Sequence, residues 1–257
     1  MERKRILIAT KTYPSISRKY KETVCTAGVL LDNNDQPIEW IRIYPIRFRD
    51  LSIDQQYPRW SIIEADIERN DKDYRVESYR IDDQSIRVIR KIDTKNSWAE
   101  RKSLLYPLES QTLCEIKSLN KSLGMIKPKQ ILKYFHKETS REWSPRQEAI
   151  LDQMDMFEPS SNLEKIPYQF GYRFLETDNT LHNFTISDWE IMQLYRNCRL
   201  KSQAKDILGK ESEALEKVRL KLENEFMYKK ELHFIVGNLK NHKNTFMIIG
   251  LFYPPLG

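Results

Sequence analysis

The sequence predicts an α+β protein in which a small N-terminal β-barrel is followed by a second β-rich domain with two or three helices. Four or five short stretches of apolar or alternating residues occupy the first 92 positions and are separated by polar turns, as in small barrels and sandwiches. Two amphipathic segments with helix-start signals follow in the second half, and the chain closes on two apolar strand-like runs. We therefore predict a β-barrel-like domain at 1–92, a helical connector at 93–122 and an α+β domain at 123–257.

Composition agrees with a folded protein. The chain has 257 residues, of which 40% are hydrophobic and 11% aromatic, enough to build a sizeable core. Glycine is scarce, with 7 residues, so glycine-rich phosphate loops are not expected.

The strands of the first domain follow from their residue patterns. Ile63, Ala65 and Ile67 alternate with acidic residues, which is typical of a half-buried strand. The sequence DNND predicts a turn between two neighbouring strands. The predicted strands are Arg5–Thr10, Val24–Leu31, Ile38–Tyr44, Trp60–Glu68 and Ser85–Ile92.

The second half mixes strands and helices. A strand is predicted at Met125–His136, and a helix begins at Ser144, with Pro145 in its first turn. Ser187 and Glu190 form a predicted capping box for a further helix. A hairpin at 168–187 and the strands LHFIVG and FMIIGLFY complete the domain, and strand-rich blocks at the start of both halves suggest a loose duplication.

The charge of the chain is unevenly distributed. The formal net charge is +6, and residues 1–49 contain ten Lys or Arg against five Asp or Glu. A local excess of this kind favours a polyanionic partner, although a basic surface can also serve only solubility.

A basic–aromatic surface is predicted in the first domain. Trp40, Arg42 and Tyr44 share one face of a strand, and Ile41 and Ile43 share the other. Aromatic rings stack on bases and arginine pairs with phosphate, so we expect this face to bind DNA or RNA. The alternative is that the rings face a core and the arginines pair with Glu22 and Glu39. The predicted binding residues are Arg18, Lys19, Lys21, Trp40, Arg42, Tyr44, Arg47 and Arg49.

Several segments together resemble a family of uncharacterised prokaryotic proteins. They are KTYPSISRKYKETVCTAG, WIRIYPIRFRDL, RVESYR, LGMIKP, REWSPRQ, ISDWEIMQLYR and IIGLFYPP, and they span nearly the whole chain. The CTAG and WIRIYP portions are similar to domains described as paired OB-fold-like modules. The resemblance implies two barrels and contact with nucleic acid, and it transfers no catalytic residue. Relatives place cysteines in the hairpin before the DWE segment, whereas residues 176–182 here contain none.

A metal-dependent nuclease is the first alternative. Glu64, Asp66 and Glu68 form a row of carboxylates that can bind Mg²⁺, although such a row is more often the wet side of a strand. Glu115 and Lys117, with Asp93 upstream, have the spacing of nuclease ligands, but residues two apart do not share a face of a helix.

The second alternative is a protein-interaction subunit whose paired helices dock a partner. The 4 histidines are scattered and Cys-x-x-Cys is absent, so no metal site and no cofactor are expected. The 3 cysteines lie far apart and no apolar run is long enough to span a bilayer, so we expect reduced thiols, a cytoplasmic location and no membrane partner.

Overall fold

A computed structural model describes residues 1–17, 21–149, 163–240 and 242–257. The predicted α+β class is confirmed: a closed N-terminal barrel is followed by a second β-sheet with few helices. The helix predicted to begin at Ser144 runs toward positions that lie outside the described residues.

Five strands close the first barrel in the order β1, β3, β4, β6, β5 and back to β1. All pairings in this circuit are antiparallel except the parallel pair of β4 and β6. This circuit makes the barrel OB-like. The strands of this part are β1 Glu2–Lys11, β2 Ser15–Ser17, β3 Lys21–Leu31, β4 Pro37–Ile46, β5 Ser61–Arg69, β6 Ser78–Ile81 and β7 Arg87–Lys91.

Alternation along the strands divides the first barrel into an interior and an outer surface. Ile41 and Ile43 of β4 point inward and join Ile6 and Ile63 in a buried core, as the pattern predicted. Residues of the opposite parity on β1, β3 and β4 face away from this core.

A short helical segment links the first barrel to the second sheet. It contains α1 Lys95–Leu105, β8 Glu109–Ser110 and α2 Leu113–Ser118. Thr112 caps α2, because its hydroxyl accepts a hydrogen bond from the Glu115 amide.

The second sheet repeats the strand order of the first, and we call it the second barrel because its end strands β9 and β10 are consecutive in the chain. Its path runs β10, β11, β12, β14, β13, β9, with a parallel pair between β12 and β14. The first strand of the circuit is divided at residues 127–129, so β9 pairs with β13 and β10 pairs with β11. The strands are β9 Leu123–Ile126, β10 Gln130–Glu138, β11 Tyr168–Leu175, β12 Leu181–Ile186, β13 His233–Leu239 and β14 His242–Phe252.

Pro128 explains why the single strand predicted at 125–136 is two strands. Proline has no backbone N–H, so it cannot continue the ladder. When β9 and β10 are counted as one strand, both halves of the chain have five strands in the same order, with a parallel pair at the same place. The duplication suggested by the sequence is therefore a repeat of strand order.

Helices occupy the connection between β12 and β13. They are α3 Trp189–Leu200, α4 Ile207–Arg219 and a π-helix at Leu220–Met227. Leu222 and Phe226 of the π-helix are buried in the core of the second barrel, where the Tyr172 hydroxyl donates to the Leu222 carbonyl at 2.7 Å. The cap of α3 is Asp188 and not the predicted Ser187, because the Asp188 carboxylate accepts from the Glu190 amide.

The two barrels pack face to face through a shared apolar core. Leu7, Val29 and Trp40 from the first barrel contact Met125 and Ile249 from the second within one buried cluster. Burial of this kind favours one folding unit over two independent domains.

Candidate nucleic-acid interface

The predicted basic–aromatic face of β4 exists, but the second barrel covers it. Trp40 is 4% exposed, and its indole N–H donates to the Leu108 carbonyl at 3.1 Å. The alternation therefore identified the outer side of the strand correctly, and the expectation that Trp40 stacks on bases from solvent is wrong. The ring is buried because the linker and the second sheet lie over it.

Arg42 is part of the same interface. It is 3% exposed, and its guanidinium donates to the Ser122 carbonyl at 3.2 Å and contacts Cys25 Sγ at 3.5 Å. A Cβ at Gly237 would lie 3.1 Å from Arg42 Nη2, so glycine permits this close approach. The expectation that Arg42 faces a nucleic acid is wrong, because the arginine binds the second barrel instead.

The remaining predicted residues of this surface contact other side chains of the first barrel or lie outside the described residues. The Tyr44 hydroxyl accepts from Thr23 Oγ1 at 3.2 Å, and Arg47 pairs with Asp83 at 3.4 Å. Arg49 pairs with Glu22 at 2.7 Å, as the alternative interpretation expected. Arg18 and Lys19 and the side chain of Lys21 lie outside the described residues, so their role stays a prediction.

A second basic–aromatic surface lies on the outside of the second barrel, on strands β10, β11 and β12. Tyr134, Tyr172 and Phe174 point into the core of this barrel, so the residues of opposite parity point outward. We call this surface the outer face. It comprises Lys133, Phe135 and Lys137 of β10, Gly171 and Arg173 of β11, and Asn183 and Thr185 of β12.

The charged residues assigned to the outer face are all cations, and they make no ion pairs within the described residues. Lys133, Lys137 and Arg173 are exposed, and none of them forms an ion pair with a carboxylate in the described part of the chain. Lys133 lies directly opposite Arg173 across the β10–β11 pair. Like charges in this arrangement cost stability, and a bound anion relieves the cost.

Phe135 lies across the backbone of Gly171. The two residues are cross-strand partners, and a Cβ at Gly171 would come within 2.2 Å of the ring. Glycine therefore lets the ring lie on the strand, half-buried, at the centre of the cationic surface. The sequence signal was the alternation of Lys133, Phe135 and Lys137, but only the strand pairing adds Arg173 and Gly171.

Two carboxylates of the nuclease alternative pair with arginines. Glu64 lies 3.4 Å from Arg5, and Asp66 lies 3.6 Å from Arg3. Glu115 and Lys117 lie on α2, where a spacing of two does not place them on one face. No group of three or more potential metal ligands occurs within the described ranges.

A third polar cluster joins the barrels. Lys11 Nζ donates to the Tyr57 carbonyl at 2.8 Å and lies 3.6 Å from the centre of the Phe48 ring. Burial lowers the pKa of Lys11 to about 8, against the opposing effect of the Glu190 carboxylate. Phe48 contacts Trp189 of α3 edge-on, so this lysine stabilises the junction between the barrels.

Comparisons with known proteins divide the chain in two. Residues 2–107 match a family model described as a domain of unknown function (DUF8758), and residues 109–256 match one described as a domain of unknown function (DUF8757). No curated protein gives a significant match. No helix of the described residues is long and apolar enough to cross a membrane.

Two solved structures align with the whole chain at very low identity. The tetrameric p202 HIN2 is 9% identical with a TM-score of 0.32, and 94% of its chain is covered. A murine DNA-binding protein bound with double-stranded DNA is 7% identical with a TM-score of 0.32, and 97% of its chain is covered. Similarity at this level supports no conclusion about the fold or function of this chain.

Proposed function

The chain belongs to the family of the domain of unknown function DUF8757, and we propose that it binds nucleic acid through the outer face of its second barrel. The observation that carries this proposal is the set of unpaired cations around the Phe135 ring. Cations that track a phosphate backbone and an aromatic ring that stacks on a base are the two parts of a single-strand binding surface.

The spacing of the cations suits an extended strand. Lys133 and Lys137 are four residues apart on β10, which is about 13 Å along a strand. Arg173 lies beside Lys133 on β11, where its planar guanidinium can bind a phosphate in bidentate fashion. A nucleic acid that runs along β10 would meet all three cations and would pass over the Phe135 ring.

The repeated strand circuit supports the choice of surface. In the first barrel, the outer side of the second and third strands of the circuit is buried against the second barrel. The corresponding side of β11 and β12 in the second barrel includes the exposed Arg173 and Asn183. This position in the circuit is one at which OB-like barrels bind oligonucleotides.

The cationic segment at Arg18, Lys19 and Lys21 is a proposed second contact with phosphates. It holds three of the ten Lys and Arg residues of positions 1–49. A nucleic acid of either type, DNA or RNA, satisfies the proposed contacts, because neither phosphate pairing nor base stacking distinguishes the sugar.

Fluorescence anisotropy with labelled single-stranded and duplex oligonucleotides at several salt concentrations tests the proposal. The three proposed phosphate contacts of the outer face contribute about 2 to the magnitude of the slope of log Kd against log salt for a single strand, and contacts at Arg18, Lys19 and Lys21 would add to it. Affinity that does not depend on salt, or the absence of binding at low salt, would contradict it.

A further inference from the structure

One end of the helical pair α3–α4 presents a cluster of exposed aliphatic side chains. Leu200 is 69% exposed, Ile207 67% and Leu208 70%. Leu200 ends α3, and Ile207 and Leu208 begin α4, so the three side chains belong to one corner of the molecule. Single exposed aliphatic residues are ordinary, but a cluster of them marks an interaction site.

The turn between the two helices is rigidly built. The Ser202 hydroxyl donates to Glu213 at 2.6 Å, and the Ala204 amide donates to Ser202 Oγ at 3.1 Å. The Gly209 amide donates to the Asp206 carboxylate at 2.7 Å, which caps α4. These bonds hold the aliphatic side chains outward in a folded corner.

Lysines surround the exposed aliphatic residues. Lys201 and Lys205 are exposed and Lys210 is half-buried, and none of the three has a carboxylate partner within the described ranges. The acidic side chains of this corner are Glu211, which pairs with Arg141 at 2.9 Å, the exposed Asp206, which caps α4, and Glu213, which accepts from Ser202. The corner therefore has an apolar tip with three lysines around it that make no ion pair in the described part of the chain.

We propose that this corner docks on an anionic lipid bilayer, with the three aliphatic side chains among the acyl chains and the lysines at the headgroups. A protruding apolar tip with a cationic rim has the charge and polarity of a peripheral membrane anchor. Nucleic acid would engage the lysines and leave the aliphatic residues in water. A second copy docked by two-fold symmetry would bring like-charged rims together.

The sequence analysis expected no membrane partner because no apolar run is long enough to span a bilayer. Leu200 and Ile207 are separated by a polar turn in the sequence. Folding of the helical pair places the two residues at the same end. The proposal does not depend on the outer face, which lies on β10–β12.

Sedimentation with vesicles tests the proposal. The protein is mixed with vesicles of phosphatidylcholine and phosphatidylserine in equal parts, and separately with pure phosphatidylcholine. We expect preferential binding to the anionic vesicles, and a loss of at least about tenfold in partitioning for the triple variant Leu200→Ser, Ile207→Ser and Leu208→Ser. Lys201→Glu with Lys205→Glu is expected to abolish the preference for phosphatidylserine.

A matched control removes three other exposed aliphatic side chains. Ile38→Ser, Ile53→Ser and Leu119→Ser change residues that are 51%, 92% and 57% exposed, and this variant is expected to bind vesicles like the wild type. Equal binding to both vesicle types, no binding, or an equal loss in the two triple variants would overturn the proposal. All variants alter exposed side chains, so unchanged melting temperatures verify that they are folded.

Discussion

Arg59 of the first barrel and Asp188 of the second form an ion pair in the buried junction between them. Arg59 Nη1 lies 3.4 Å from Asp188 Oδ2, and both side chains are almost completely buried. Asp188 also accepts from the Leu251 amide at 3.1 Å and from the Glu190 amide at 2.8 Å, where it caps α3. One carboxylate therefore connects the first barrel, the last strand and the start of α3.

Asp188→Ala is expected to lower the free energy of unfolding by about 1–3 kcal/mol, because it leaves the buried Leu251 amide and the first turn of α3 without their acceptor, while Arg59 keeps Glu190 at 2.8 Å. Urea unfolding monitored by tryptophan fluorescence and by circular dichroism measures the change. Asp178→Ala, in an exposed turn, is the control. A loss below about 1 kcal/mol would mean that the Asp188 carboxylate does not hold the junction.

Trp40→Ala is expected to reduce stability by about 3–5 kcal/mol, since it removes a large side chain from the core shared by the barrels. The folded variant should retain the oligonucleotide affinity of the wild type, because Trp40 does not reach solvent. Thermal unfolding and anisotropy below the melting temperature separate the two effects. A stable variant with weakened binding would restore the original assignment of Trp40 to the binding surface.

Phe135→Leu is expected to weaken binding of a single-stranded oligonucleotide by about 1–3 kcal/mol, the value of one stacked base. Duplex binding should change little, since paired bases offer no free face to the ring. Phe135→Tyr keeps the aromatic face and serves as the conservative control. Equal losses for single strands and duplexes would show that the ring does not stack on a base.

Lys11 makes the free energy of unfolding depend on pH in the alkaline range. Its pKa is about 8 in the folded protein and 10.5 without the effect of burial, so between these values the unfolded chain binds the extra proton. The free energy of unfolding should therefore rise with pH across this range, by an amount on the order of 2 kcal/mol from this group. The difference between the wild type and Lys11→Met isolates the effect, and a difference that is constant from pH 8 to 10.5 would contradict it.

Local patterns predicted more of the fold than of the binding surface. The alternation of Ile41 and Ile43 with Trp40 and Arg42 assigned the two sides of β4 correctly, because strand periodicity is a local property. What covers the outer side depends on a barrel that begins about eighty residues later in the sequence. No local pattern carries that information, so a buried interface looked like a solvent-facing one.

The same limit applies to the outer face. Lys133, Phe135 and Lys137 alternate within one strand, and this part of the surface was readable from the sequence. Arg173 and Gly171 come next to them only through the register of β10 with β11. Similarly, Ser187 and Asp188 are both good helix caps, and the hydrogen bond from the Leu251 amide favours Asp188.

The most direct test of the account compares the salt dependence of single-strand binding in two charge variants. The outer-face variant carries Lys133→Ala, Lys137→Ala and Arg173→Ala, and the control carries Lys72→Ala, Arg87→Ala and Lys91→Ala on exposed cations of the first barrel. We predict that only the outer-face variant loses affinity, and that its slope of log Kd against log salt falls by about 2. An equal loss in both variants, or a normal slope in the outer-face variant, would contradict binding at this surface.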